Sequence, residues 1–410
     1  MLAFGGTEPV SFAVVEFLLL GAVAALVICA GSSPLTFPLQ SFFVPAVLLA
    51  VVLLQLFRST IDAHNTLRFF LVLLTCLAAF FLAQIVSQDR ERKRLLIVSL
   101  VALGTFEAFY GLTQYLSGWQ KIFTYAKQFD LEEATGTYIN RNHYAGFLEM
   151  ILPFSLALAF CEFAKLRKGH REPIAGLRKL VTRSALQRLI LWLSVAVVLY
   201  AALIFSRSRM GIVASSASLL VVFGLLAASR YHRKTGLVLA CAFFMFSVGL
   251  AFWIGPGPIV DRFQKVGQEY TLGDQSRLSI WRDTLVLIRH HPWAGTGYGT
   301  FPIAFTSVQT VFLGQLVNHA HNDYLEFSSD LGAPTAIILF VSVAFVLSRA
   351  VRASLSTADG FERFLAVGCV GSIAAILLHS MTDFNLYIPA NALLFSLILG
   401  LAMTSLRSET

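Results

Sequence analysis

Charge is scarce in this chain. Only 13% of its 410 residues are Asp, Glu, Lys or Arg, against 57% hydrophobic, which leaves too little polar surface for a soluble domain. With a mean hydropathy of +0.72 and 36 phenylalanines, the composition is that of a polytopic membrane protein. Paired cysteines are also missing. Cys29, Cys76, Cys161, Cys241 and Cys369 each stand inside an apolar run without CxxC spacing, so no disulfide or zinc framework is expected. There is no H-E-x-x-H helix, no serine elbow and no glycosidase-like carboxylate pair. The pairs His319-x-His321 and His290–His291 lack the carboxylate spacing of a metal site, and neither metal nor cofactor is expected. A basic n-region, internal repeats and low-complexity tracts are absent, so no cleavable signal peptide or solenoid is expected.

What the chain has in quantity is apolar runs of membrane-spanning length, about 20 residues each. Eleven are read from the sequence: 12–30, 39–57, 67–86, 95–116, 144–164, 189–205, 210–229, 235–254, 333–351, 364–379 and 386–406. The fold class is therefore all-α, with about eleven transmembrane helices and one long loop carrying amphipathic helices. The domain reading is a bundle over 1–254, the loop 255–332 and a bundle over 333–410. The net charge of +8 does not signal nucleic acid, because the basic residues fall in short loops between apolar runs. Arg90, Arg92, Lys93 and Arg94 mark one cytoplasmic loop, and the basic stretch 165–188 marks another. Alternation then puts the N-terminus, 118–143, 206–209 and 255–332 on the extracytoplasmic face.

The stretch NHAHNDYLEFSSDLGAP (318–334) concentrates polar chemistry just before an apolar run. Asp323 and Glu326 have the D-x-x-E form of a helix start, and Gly332 with Pro334 punctuates the next segment. His319 and His321 then lie on non-helical backbone. The bland reading is a polar cap over the bundle. Arg207 and Arg209, in SRSRMG, run against the positive-inside trend, and a guanidinium there suits a phosphate. Arg277 opens an amphipathic helix over 274–291, capped by Asp274 or Ser276, whose apolar positions are Leu278, Trp281, Leu285 and Ile288. Asn140, Arg141, Asn142 and His143 form a further polar knot, with Asn142 as the expected cap. Glu149 is a buried polar candidate, whereas His379 and Asp383 border the outer end of the tenth run, where they could line the same cavity, although boundary residues of this kind are more often structural. GTGYGT (295–300) follows no strand and opens no βαβ unit, so it is read as a flexible turn.

Four motifs occur in order along the chain: GTYINRNHYAGFLEM (136–150), FSRSRMG (205–211), SRLSIWRDTLVLIRHHPWAGTGYGTF (276–301) and HAHNDYLEFSSDLGAP (319–334). Together they resemble the O-antigen ligase and polymerase-like membrane glycosyltransferases, lipid-linked glycan transferases of GT-C type. The resemblance implies transfer of a glycan from an undecaprenyl diphosphate carrier to a lipid or glycan acceptor. It places that reaction at the periplasmic face of a bacterial inner membrane, without metal. It implies Arg209, Arg277 and His321 as catalytic residues, and Arg207, Asn322, His319, Arg141, Asn142 and His143 as substrate-binding ones. The family usually carries one further helix before the FGGTEP at the start of this sequence. A polymerase of the same architecture is one alternative. A transporter or a non-catalytic polysaccharide-assembly component is another, of a different class.

Overall fold

The computed structural model describes residues 39–169, 175–228, 273–310 and 316–404, with a few isolated positions besides. Nine of the eleven expected spans fall in this part, while 12–30 and 235–254 lie outside the described residues. The spanning helices are α1 (Gln40–Arg58), α2 (Ala63–Val86), α3 (Arg90–Ser117), α4 (Arg141–Gly169), α5 (Ala175–Phe205) and α6 (Arg209–Ala228). After the short helices α7 (Gly273–His290), α8 (Phe301–Ala304) and α9 (Asp323–Leu331) come α10 (Ala333–Ser356), α11 (Gly360–His379) and α12 (Pro389–Thr404). Eight of these are long and apolar enough to cross a membrane, and α12 is a shorter apolar helix. The last run begins later than its apolar residues suggest, because Asn385–Tyr387 forms a 3₁₀ turn before Pro389.

Capping explains several of the starts. Asp62, Asp89 and Asp359 each accept from backbone N–H groups in the first turns of α2, α3 and α11. Gly118, at φ 70°, ends α3, and Gly332, at φ 82°, separates α9 from α10, where Pro334 sits in the first turn. The basic stretch 165–188 is not mainly a loop. Helix α4 runs on to Gly169 and α5 starts at Ala175, so the charges extend two helices past the hydrocarbon rather than linking them.

The bundle is built around α4 and α11, whose spanning windows are 83% and 72% buried against 22% for α1 and α10. They pack on each other, α4 also against α5 and α6, and α11 against α6 and α10. Gly368 and Gly371 of α11 make this close approach possible against Phe154, Ala157 and Pro153 of α4. Polar pairs collect at the two ends. At one end Lys93 bonds Glu362 at 2.8 Å, and Glu162 draws Lys165 and Arg188 to 2.7 and 3.0 Å. Towards the other, Glu149 and His379, both fully buried, meet at 3.1 Å, with Glu149 about 9 Å inside His143 along α4. Between His143 and Glu162, α4 rises about 29 Å at 1.5 Å per residue, close to the roughly 30 Å of a hydrocarbon core.

The GTGYGT turn that follows α7 is tightly held rather than flexible. The GTGYGT turn is buried: Gly299 N donates to Asp330 Oδ2 at 2.7 Å, Tyr298 N to Gln55 Oε1 at 3.1 Å, and Thr296 N to the Ser329 carbonyl at 2.9 Å. A Cβ on Gly299 would run into the Phe69 ring, and one on Gly295 into the Asp330 backbone. These glycines therefore serve close packing, and the expectation of a flexible turn is corrected. A second correction concerns α7. Leu278 and Leu285 are 59% and 46% exposed, whereas Ile280, Thr284 and Leu287 are buried. Trp281 of the expected stripe does pack on the cluster of Phe301, Phe305, Val317 and Ala320, while the buried side centres on Ile280 and Leu287 instead of Leu278 and Leu285.

Candidate functional site

The segment 316–322 is irregular backbone, as the sequence implies, and delivers both histidines to one end of the bundle. His321 has φ 51°, a left-handed conformation that is uncommon outside glycine. Its position is set from the next helix. Asn322, not Asp323, is the N-cap of α9: its Oδ1 accepts from Leu325 N at 3.1 Å, and its Nδ2 donates to the Met381 carbonyl at 2.9 Å. Asp323 instead staples α9 to the turn after α11. Its N–H donates to the Ser380 and Asp383 carbonyls, and its carboxylate accepts from Ser380 Oγ at 2.6 Å and Leu386 N at 3.2 Å. That staple brings Asp383 and Phe384 beside the histidines.

Asp383 is 2% exposed, and its Oδ1 lies 3.8 Å from His321 Nδ1 and 3.7 Å from His143 Nε2. Both nitrogens are buried and make no direct hydrogen bond. Such gaps close readily when a substrate tightens a site. Burial alone would raise the Asp383 pKa, but the surrounding imidazoles outweigh it and hold the carboxyl well below the ordinary carboxylate range. Phe384 is the hub of the cluster: His319 stacks on it at 3.8 Å, while His143 and His321 meet it edge-on at 4.6 and 5.0 Å.

His319 has a different partner. Its Nδ1 lies 2.6 Å from Glu326 Oε1, and Ala320 N donates to the other carboxyl oxygen at 2.7 Å. Burial lowers the His319 pKa to about 4 and raises that of Glu326 to about 8. At neutral pH the proton therefore rests on Glu326, which donates it to a neutral His319. Of the three imidazoles, His321 is the most open, with a side chain 34% exposed against 23% for His319 and 8% for His143.

The arginines divide into two groups. Arg141 is held by Glu133 at 2.5 Å and Asp130 at 3.3 Å, and Arg207, at φ 53°, meets Glu132 at 3.4 Å and covers the Tyr115 ring. The cap of α4 is Asn140, whose Oδ1 accepts from Asn142 N at 2.7 Å, so the expected role of Asn142 as the cap is corrected. Arg209 is the first residue of α6, capped by Ser208, whose Oγ accepts from Gly211 N. Gly211 packs on Ala145, which sets this turn against the first turn of α4, two residues from His143. Arg277 lies one helical turn before Trp281, whose Nε1 donates to the Ala320 carbonyl, between the two histidines, at 2.9 Å.

Beneath the cluster, a 510 Å³ cavity of mostly apolar lining opens between α1, α2, α10 and α12. It ends at Tyr298 and Phe327, which meet Tyr387 at 5.9 and 4.8 Å, and Tyr387 lies 5.9 Å from His319.

Sequence reasoning singled out the histidines but read Asp383 as structural and overlooked Phe384 and the partners in 130–133. The signal for Asp383 is its place in SMTDFNLY (380–387), a polar knot between two apolar runs at the same end of the bundle as 319–322.

A helical, polytopic membrane protein with a histidine–carboxylate cluster at one end of its bundle is the class these observations define. Residues 193–340 match the family model described as O-Antigen ligase, a segment that contains Arg207, Arg209, Arg277, His319, His321 and Asn322. That match covers less than half of the chain, and it likens this segment to O-antigen ligases. No curated protein matches the chain.

Proposed function

We propose that this protein is an O-antigen ligase-like glycosyltransferase. It moves a glycan from an undecaprenyl diphosphate carrier to a hydroxyl of a lipid or glycan acceptor, on the extracytoplasmic face of the bacterial inner membrane. The observation that supports this reading is the Asp383–His321 pair, whose His321 lies, with Arg209 and Arg277, in the segment that matches O-Antigen ligase. Asp383 faces Nδ1 of His321, which favours the Nδ1–H tautomer and leaves Nε2 to take the acceptor proton. The acceptor oxygen attacks the anomeric carbon, and the carbon–oxygen bond to the diphosphate breaks with its electron pair on the diphosphate. Arg209 and Arg277 neutralise that charge. A single displacement inverts the anomeric centre. Asn322 fixes the histidine loop, and the apolar cavity below suits an isoprenoid chain. His143, His319, Arg141, Asn142 and Arg207 line or brace the substrate site in this reading.

The sugar–diphosphate bond is already activated, so the reaction needs no metal. The purified protein with a lipid-diphosphate-linked glycan is expected to turn over in EDTA; activity restored only by a divalent ion would overturn that part. A polymerase would use the same chemistry with a growing glycan as acceptor. Deletion followed by analysis of envelope glycans separates the two: loss of attached long chains means ligase, and single-repeat products mean polymerase. Unchanged envelope glycans would overturn both and favour transport or scaffolding. Transport is the weaker reading, because among the described residues the cluster of His321, His143 and Asp383 lies at one end of the bundle and not at its midplane.

A further inference from the structure

Helix α3 ends at Gly118, and the chain then forms a two-stranded hairpin, β1 (Lys121–Ile122) and β2 (Tyr125–Ala126), before it returns to α4. The hairpin and the turn after it expose Trp119, Phe123, Tyr125, Phe129 and Leu131, of which Phe129 is 69% and Leu131 51% open. This is costly in water at about 25 cal/mol per Å² of apolar surface, yet the geometry is held firmly in place. Phe123 sits at φ 52° because its N–H donates to Tyr110 Oη at 2.7 Å, and the Tyr110 ring lies 5.6 Å from Trp119 and 5.7 Å from Phe123. Lys127 closes the hairpin, with its Nζ on Gln120 Oε1 at 2.8 Å and on the Glu133 carbonyl at 3.0 Å.

The level of this patch along the bundle names its partner. Past the charged start of α3, the stretch from Leu95 to Ser117 rises about 33 Å at 1.5 Å per residue, enough to cross a hydrocarbon core of roughly 30 Å. The hairpin follows directly, and the apolar surface it shows is continuous with the open side of α3, where Phe106, Phe109 and Leu116 are exposed. Tryptophan and tyrosine at that level form the belt that membrane proteins place at the headgroup boundary.

We propose that residues 118–131 are an interfacial anchor. They seat their aromatic side chains in the headgroup–acyl boundary of the leaflet at the His321 end of the bundle. The partner is the lipid bilayer itself. The anchor is tied to the acidic strap Asp130, Glu132 and Glu133, which holds Arg141 and Arg207. Lipid contact therefore fixes these two arginines at headgroup level, where a lipid-borne anionic group travels.

The test measures depth and needs no activity assay. Trp119 is kept as the only tryptophan, with Trp192, Trp253, Trp281 and Trp293 changed to Phe. The full chain is placed in bilayer nanodiscs of phosphatidylethanolamine and phosphatidylglycerol. Quenching by lipids brominated near the headgroup end of the chain is expected to exceed quenching by deep bromines and by aqueous iodide. Quenching by iodide alone would put the hairpin in water and overturn the proposal. Shielding from both would show that protein covers it, whether a second copy or another chain, and would also overturn it. If the single-tryptophan chain does not fold, a nitroxide on Phe129→Cys in a chain that keeps its tryptophans, with the native cysteines replaced, gives the same reading. Its relaxation is expected to respond to oxygen more than to a polar nickel chelate, and the reverse would sink the idea.

Discussion

The carboxylate of Asp383 faces Nδ1 of His321 at 3.8 Å, across 62 positions of sequence, and no other described acid lies within ion-pair distance of that imidazole. If His321 takes the proton of an acceptor hydroxyl, the negative charge of Asp383 stabilises the imidazolium that results. Asp383→Asn keeps the shape and removes that charge. The variant is expected to lose transfer by about 10²–10⁴-fold, the usual cost of disabling a positioned acid–base group, in kcat more than in KM. Near-normal transfer by Asp383→Asn at wild-type membrane levels would separate the carboxylate from the chemistry.

His319 and Glu326 give a pH signature in stability. Glu326 has a folded pKa of about 8 against an ordinary 4.5, so its contribution is complete below 4.5 and is lost as pH rises through 8. His319 works in the opposite direction: lowered from 6.5 to about 4, its contribution is complete above 6.5 and is lost as pH falls through 4. Between pH 6.5 and 8 only Glu326 of the pair titrates. Thermal stability in detergent is expected to decline across that window by up to about 2 kcal/mol, since one proton linked to unfolding changes stability by about 1.36 kcal/mol for each pH unit. Glu326→Gln should flatten the decline, and an equal decline in the variant would assign it to another group.

The spans were legible because hydrocarbon demands a long apolar run and nothing else in a chain mimics one. Nine of the readings meet helices, with ends that shift where a cap or a charged extension decides, as at Asn140 and along 165–188. The packing face of α7 was legible only in part: Trp281 packs as its spacing suggests, but Leu278–Leu285 and Ile280–Leu287 are equally periodic and only contacts with Phe301, Phe305, Val317 and Ala320 choose between them. In the site, His319 and His321 were legible from local density of polar residues. Asp383 was not, because its place beside His321 depends on Asp323 bonding Ser380 and Leu386, a relation that no local pattern encodes.

The GTGYGT turn offers a test of close packing. Gly299 sits at φ 80° and its missing side chain leaves room for the Phe69 ring. Gly299→Ala therefore carries two costs, about 1–2 kcal/mol for a left-handed residue and the clash with Phe69. Phe69→Ala in the same chain removes only the second. The double variant is expected to melt at a higher temperature than the sum of the two single losses predicts, a coupling that a double-mutant cycle reads directly. Strict additivity in thermal-shift measurements would show that Phe69 moves aside without cost.

The last prediction concerns which face carries the site. The His321 cluster and the Glu162–Lys93 end lie at opposite ends of α4 and α11, separated by about 29 Å along α4 at 1.5 Å per residue. The basic residues gather at the second end, where Arg90, Arg94, Lys165 and Arg188 meet Asp359 and Glu162. Positive charge is generally retained on the cytoplasmic side, so that end is expected to face the cytoplasm and the histidines to face outward. Asn318 and Glu91 are exposed and lie at the two ends. In a background with the native cysteines replaced, Asn318→Cys is expected to react with a membrane-impermeant maleimide in spheroplasts. Glu91→Cys should react only after the membrane is opened. The reverse pattern would put the histidine cluster in the cytoplasm, out of reach of a glycan carried on the outer leaflet, and the proposed reaction would fall with it.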